Sequence, residues 1–98
     1  MKTITTYEVK QMLEEGEKLH LIDVREADEL AQGKIPGVIH IPLGELEYRM
    51  DELDEKIPYI IVCLSGGRSG HAAVFLEEHG YDATNMNGGM MMWGGEIQ

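Results

Sequence analysis

The chain has 98 residues, of which 43% are hydrophobic and 27% charged, and it carries a formal net charge of −10. That length makes one domain over residues 1–98, with a modest core and no room for large insertions. The excess of 18 acidic over 8 basic residues excludes a nucleic-acid backbone as partner, because phosphate contacts need clustered Lys and Arg; it serves solubility or presents an acidic face to a basic protein.

The N-terminus, MKTITTYEVK, lacks the apolar stretch of a signal peptide. Thr5 and Glu8 stand at capping-box spacing, so a helix is expected from about Thr6 to Glu15, with Val9, Met12 and Leu13 on one face and Gly16 ending it. Leu19–Val24 reads as a strand, ADELAQG as a short helix closing at Gly33, and GVIHIP as a short strand stopped by Pro42. Leu43–Leu53 has Leu43, Leu46 and Met50 at helical spacing and reads as one helix. Tyr59–Cys63 is apolar without alternation, the pattern of a strand covered on both faces of a parallel sheet. A helix follows from about Ser69 to His79, then a short strand near Ala83–Met86 and a loop, GGMMMWGG, with room for one helical turn. This alternation gives an α/β fold, a mostly parallel sheet with helices on both faces. No apolar run reaches the roughly 18–20 residues of a membrane span, so no membrane partner is expected.

Cys63 is the single cysteine. It cannot form an internal disulfide, which fits a reducing, cytoplasmic location. With no CxxC and no Cys/His cluster, no metal site or cofactor is expected. Ligands of parallel sheets bind beyond the carboxyl ends of the strands, and Cys63 ends the most apolar strand. The segment CLSGGRS then joins strand to helix in few residues. Gly66 and Gly67 accept positive φ at no steric cost, so successive N–H groups can converge into an anion nest. The start of the next helix adds unpaired N–H groups and a positive dipole end. Arg68 adds a permanent charge, aimed inward or laid along the rim. A thiol at the edge of this cradle has its pKa lowered, because the cradle stabilises the thiolate. The combination suits attack on an anion whose leaving group is also an anion. A phosphate ester and a thiosulfate fit equally well on these grounds. Ser65 and Ser69 are placed to donate hydroxyl hydrogen bonds to that anion, or Ser69 only caps its helix.

These residues resemble a known family. CLSGGRS is similar to the active-site loop of rhodanese-like sulfurtransferases, LIDVREADELAQGKIPGVIHIPLGEL to their first signature, and NGGMMMW to their C-terminal Gly-Gly-and-Trp segment. The resemblance covers nearly the whole chain. It implies a rhodanese-like domain with a five-stranded, mostly parallel sheet, and makes Cys63 the nucleophile that becomes a persulfide. It makes Leu64, Ser65, Gly66, Gly67 and Arg68 the loop that cradles substrate, with Ser69 beside them. It makes Asp23 a structural hydrogen-bonding residue near the loop, matches Arg25 to its basic neighbour, and makes Trp93 a packing residue. Lys34, where the family often has His, and Val38, in place of Ala, depart from the pattern without touching chemistry.

Other residues invite functional readings that the sequence supports less well. His71 could act as a general base, but a thiolate held by amides needs none, and an exposed helical place is expected. His20, His40 and His79 form no ligand pair. Met86 and Met90–Met92 are adaptable packing residues or a soft rim beside Cys63 that meets a partner.

The activity expected is sulfur transfer. Cys63 takes a sulfane sulfur from a small anionic donor such as thiosulfate, or from a persulfide, and passes it to cyanide or a thiol. A protein-partnered sulfur-carrier module is the alternative from another class, with a protein as donor or acceptor. A phosphatase or arsenate reductase of related fold is a further one. Four residues separate Cys63 from Arg68, where the phosphatase loops that this segment resembles are one residue longer, so the cradle here is the smaller.

Overall fold

A computed structural model describes all of Met1–Gln98. Five strands, β1 (Lys2–Thr5), β2 (His20–Asp23), β3 (Ile39–His40), β4 (Pro58–Val62) and β5 (Asp82–Asn87), form one sheet in the order β1-β5-β4-β2-β3. Every pairing is parallel. The α-helices are α1 (Thr6–Glu14), α2 (Ala27–Leu30), α3 (Leu46–Arg49) and α4 (Gly67–Glu78). Short 3₁₀ turns at Leu43–Glu45 and Met50–Glu52 flank α3, and another spans Met90–Met92.

The unbroken apolar run at β4 is explained by two cores. Successive side chains point to opposite faces of a strand. Tyr59, Ile61 and Cys63 join Ile22, Leu46, Ala73 and Leu76 on one face. Ile60 and Val62 join Val9, Leu21, Ile35 and Met86 on the other. Helix α4 covers the first face and α1 the second. The α1 start is held as its sequence predicts: Glu8 N donates to Thr5 Oγ1, and Thr5 N donates to Glu8 Oε1, both at 3.0 Å.

Three expectations change. The segment Leu43–Leu53 is not one helix but a 3₁₀ turn, one short α-helix and a second 3₁₀ turn. Tightening its ends keeps Leu43, Leu46, Met50 and Leu53 all against the first core. The strand expected at GVIHIP shrinks to Ile39–His40, an edge pairing of β2. And α4 begins at Gly67 rather than Ser69. Strand β1, mostly exposed, adds the edge next to β5; its short polar sequence gave no strand signal.

The segment after β5 folds back under the end of β4. Met90 N donates to Cys63 O and Met91 N to Leu64 O, both at 2.9 Å. Gly89 makes this approach possible. Its φ is +58°, and a Cβ there would lie 2.5 Å from Leu64 O and 2.6 Å from Cys63 O. Both obstacles are backbone and cannot swing aside. Gly89→Ala is therefore expected to cost about 2 kcal/mol and to lower Tm by roughly 10 °C. A thermal melt within a degree or two of wild type would show that the backbone relaxes around the new methyl.

Candidate active site

All strands being parallel, their carboxyl ends lie along one edge of the sheet, and Cys63 follows β4 in the middle strand position. Its residue is only 1% exposed and belongs to the first core, yet its sulfur is not treated as apolar. Gly66 N donates to Cys63 Sγ at 3.0 Å, and Ser69 Oγ lies 3.2 Å from the same sulfur. Burial pushes the thiol pKa up. The Ser69 hydroxyl and the backbone amides of Ser69, Gly66 and Ser65 pull the other way and prevail, so the thiol sits below its ordinary value.

The orientation of these amides follows from where the carbonyls go. In a planar trans peptide, C=O and the next N–H point to opposite sides. Met90 and Met91 hold the carbonyls of Cys63 and Leu64. The amides of Leu64 and Ser65 therefore face away from Met90 and Met91. Gly66 takes φ +106° as the N-terminal cap of α4, a conformation open to glycine. Its carbonyl accepts from Gly70 N at 3.0 Å and from Asn85 Nδ2 at 3.1 Å, which turns Gly67 N–H the opposite way. The first amides of α4 have no carbonyl one turn back, and its first turn carries no acidic residue. The result is a partly positive concavity closed over one sulfur.

The expected loop residues, Leu64 to Ser69, are thus brought together around Cys63, with two refinements. Ser69 is not the cap of α4: it lies inside the first turn, fully buried, with its hydroxyl turned to Cys63 Sγ and Asn85 Oδ1. Ser65 is exposed, and it is its backbone that contributes to the thiol. Arg68 is not a free charge. Its guanidinium grips both carboxylate oxygens of Glu29 at 2.7 and 2.8 Å. That pair raises the Arg68 pKa further and holds Glu29 down at about 2, with the Arg68 hydrogen bond the main cause. Glu26 N also donates to Glu29 at 2.9 Å. Neither Glu29 nor Asn85 stands out in the sequence, because each meets the loop from a distant part of the chain. The one local hint was Glu29 three residues after Glu26, the spacing of a helix start.

Asp23 and Arg25 form a buried fork. Arg25 Nε and Nη2 donate to Asp23 at 3.0 and 2.9 Å, and Arg25 N donates to Asp23 Oδ1 at 3.0 Å. Arg25 Nη2 also reaches Gly33 O at 2.9 Å, so the pair ties the end of β2 to the α2 segment. Trp93 packs on the second core and donates to Glu96 O. His71 is exposed on α4. Two hollows flank the loop. One, of about 520 Å³, is lined by Gly66, Gly67, His71 and Phe75; the other, of about 270 Å³, by Arg25, Glu29, Leu64 and Met90. No group of three or more His, Cys, Asp or Glu side chains is placed to hold a metal ion. No helix is long and apolar enough to cross a membrane.

Comparison with known proteins agrees with this geometry. Residues 5–96 match the family described as "Rhodanese-like domain". The Bacillus subtilis protein named "Putative sulfurtransferase YtwF" is 43% identical over 98 residues, which cover 100% of this chain and 95% of that protein. The "Putative sulfur carrier protein YrkF" of the same organism is 42% identical over 90 residues, covering 91% of this chain but 49% of that protein. The crystal structure of a rhodanese-like domain protein from Staphylococcus aureus superposes with a TM-score of 0.94 at 38% identity, over 100% of this chain and 97% of that one. With the family pattern running through nearly every residue and the same fold in a solved relative, the chain belongs to the rhodanese-like domain family.

Proposed function

We propose that the protein is a sulfurtransferase that carries a sulfane sulfur on Cys63. The observation that supports this most directly is one sulfur, Cys63 Sγ, accepting from Gly66 N and facing the Ser69 hydroxyl at the amino end of a helix. Such a ring stabilises the thiolate before reaction and an anionic persulfide after it.

In the first half-reaction the Cys63 thiolate attacks the outer sulfur of thiosulfate. A bond forms between Cys63 Sγ and that sulfur, the S–S bond of thiosulfate breaks, and sulfite leaves with the electron pair. The persulfide on Cys63 keeps one negative charge, now on its terminal sulfur. In the second, cyanide or a thiolate attacks the terminal sulfur, and Cys63 leaves as thiolate, restored for another cycle. Thiocyanate or an acceptor persulfide is the product. Two half-reactions on one enzyme group give ping-pong kinetics. The amides of Leu64 to Ser69 hold the donor. Arg68, already shared with Glu29, attracts it less than a free guanidinium would. A protein persulfide as donor, or a protein thiol as acceptor, is the second reading. It is favoured by the likeness to a protein named as a sulfur carrier and by the exposed Leu64, Met91 and Met92 beside the loop.

Incubation with thiosulfate is expected to add the mass of one sulfur atom to the protein, and cyanide to remove it. Cys63→Ser should stay folded and take up no sulfur. An unmodified mass for wild type, with a working sulfurtransferase modified alongside, would count decisively against the assignment.

The pH dependence has a definite sign. Because thiolate is the nucleophile and its pKa is lowered, the acid limb of kcat/KM for thiosulfate should lie below the ordinary thiol value. The rate should fall only as pH drops through that lowered value. Glu29 does not contribute to this limb. Its folded pKa of about 2 lies below the ordinary 4.5, so the stability from its pair is complete above that ordinary value and lost as pH falls towards 2. A carboxyl NMR titration of Glu29 with a midpoint near the ordinary value would show the Arg68 pair to be open in solution.

A further inference from the structure

Asn85 sits at the carboxyl half of β5, buried at 3% exposure, and its two amide atoms are assigned by their neighbours. Nδ2 faces two acceptors, Gly66 O at 3.1 Å and Asn87 Oδ1 at 3.4 Å. Oδ1 is therefore the atom that meets Ser69 Oγ, at 2.5 Å. Ser69 Oγ also lies 3.2 Å from Cys63 Sγ. A serine hydroxyl has one proton to donate, and here two acceptors lie within reach of it in a buried site. Both bonds cannot be made at once.

We propose that Asn85 is a positioning residue that competes with Cys63 for the single hydroxyl proton of Ser69 and so sets how readily the thiol ionises. The proposal rests on Cys63 as the reacting group, but its content is a hydrogen-bond choice made before any donor binds. In the thiol state the proton lies on the Asn85 side, since a thiol sulfur is a weak acceptor. When Cys63 ionises, the hydroxyl swings to the charged sulfur and strengthens as a charge-assisted bond. Asn85 Oδ1 then loses its donor, and a buried acceptor without a donor is costly. The thiolate gains the hydroxyl only against that cost. Persulfide formation repeats the choice, because it moves the negative charge one atom further from Ser69 and lets the proton return to Asn85.

The charged groups around the thiol do not make this choice. Arg68 is the cation coupled to Cys63, and Glu29 holds it, with Glu26 beyond. Asp23 and Arg25, at the end of β2, neutralise each other in a buried ion pair, and His71 is exposed on α4.

Ser69 and Asn85 should therefore act with opposite signs. Ser69→Ala removes a donor to the thiolate and should raise the Cys63 pKa by about one pH unit. Asn85→Ala removes the competitor and should lower it by about one. In the Ser69→Ala background, Asn85→Ala should no longer lower the pKa, because only the Gly66 O anchor is then left for it to remove. Thiolate ultraviolet absorbance against pH reads all three, with circular dichroism to establish folding, and none requires a sulfur donor. An Asn85→Ala change that raises the pKa, or one of equal size with and without the Ser69 hydroxyl, would overturn the proposal and make Asn85 a support of loop shape alone. A measurement on the unaltered protein decides the matter even if Asn85→Ala does not fold. The side-chain carbonyl carbon of Asn85 should titrate by NMR with the midpoint of Cys63, and lose that titration in Ser69→Ala. A carbonyl signal flat through the thiol titration would equally overturn it. Failure of sulfur uptake alongside a normal titration would instead count against the sulfurtransferase reading and leave the proton competition intact.

Discussion

The loop after β4 is held by its carbonyl groups, and the chemistry appears on the other side. Cys63 O and Leu64 O are fixed by the amides of Met90 and Met91, and Gly66 O by Gly70 N and Asn85 Nδ2. With its carbonyls occupied, the loop turns its N–H groups away from those anchors. The same peptide geometry that would cost energy in an unpaired loop becomes a source of positive partial charge here, because those charges are spent on one sulfur. Gly66, with positive φ, and Gly89, with no Cβ to strike the loop, are the two places where backbone freedom is required for this arrangement.

Burial of Cys63 is part of the same design. A sulfur sealed among aliphatic side chains would stay a neutral thiol, since desolvation alone disfavours the charge. A sulfur open to water would be ionised by solvent as much as by the protein. At 1% exposure with directed hydrogen bonds, Cys63 combines a dry site with dipoles fixed in place. Such dipoles act more strongly than the same groups in water. The Arg68–Glu29 pair contributes a different element: it ties α4 to α2 across the mouth of the loop.

The sequence carried the central strand, the turn and the candidate nucleophile because all three are local. Tyr59–Cys63 announces two-sided burial by lacking alternation, and GGRS announces a tight turn into a helix. The capping box at Thr5 and Glu8 was legible for the same reason. What escaped was settled across the chain. Strand β1 is short, polar on its exposed side, and a strand only because β5 lies beside it. The break of Leu43–Leu53 into turns reflects the shape of the core beneath it. The roles of Glu29 and Asn85 depend on side chains far from them in sequence, and no spacing rule reports such a meeting. The state of Ser69 was undecidable locally, since a serine at a helix start can cap or donate. It was the earlier start of α4 that turned its hydroxyl to the sulfur.

The order in which the chain is made gives the crossing beneath the active loop another meaning. Asn85, Met90 and Met91, which hold the loop's carbonyls from outside it, all follow Cys63 in the chain. A chain made only as far as Cys63 lacks every partner that holds the Cys63, Leu64 and Gly66 carbonyls in the folded domain. The loop's carbonyls find these partners only once β5 and the turn after it have docked. The ring of amides around Cys63 is thus a property of the whole domain and not of the loop alone.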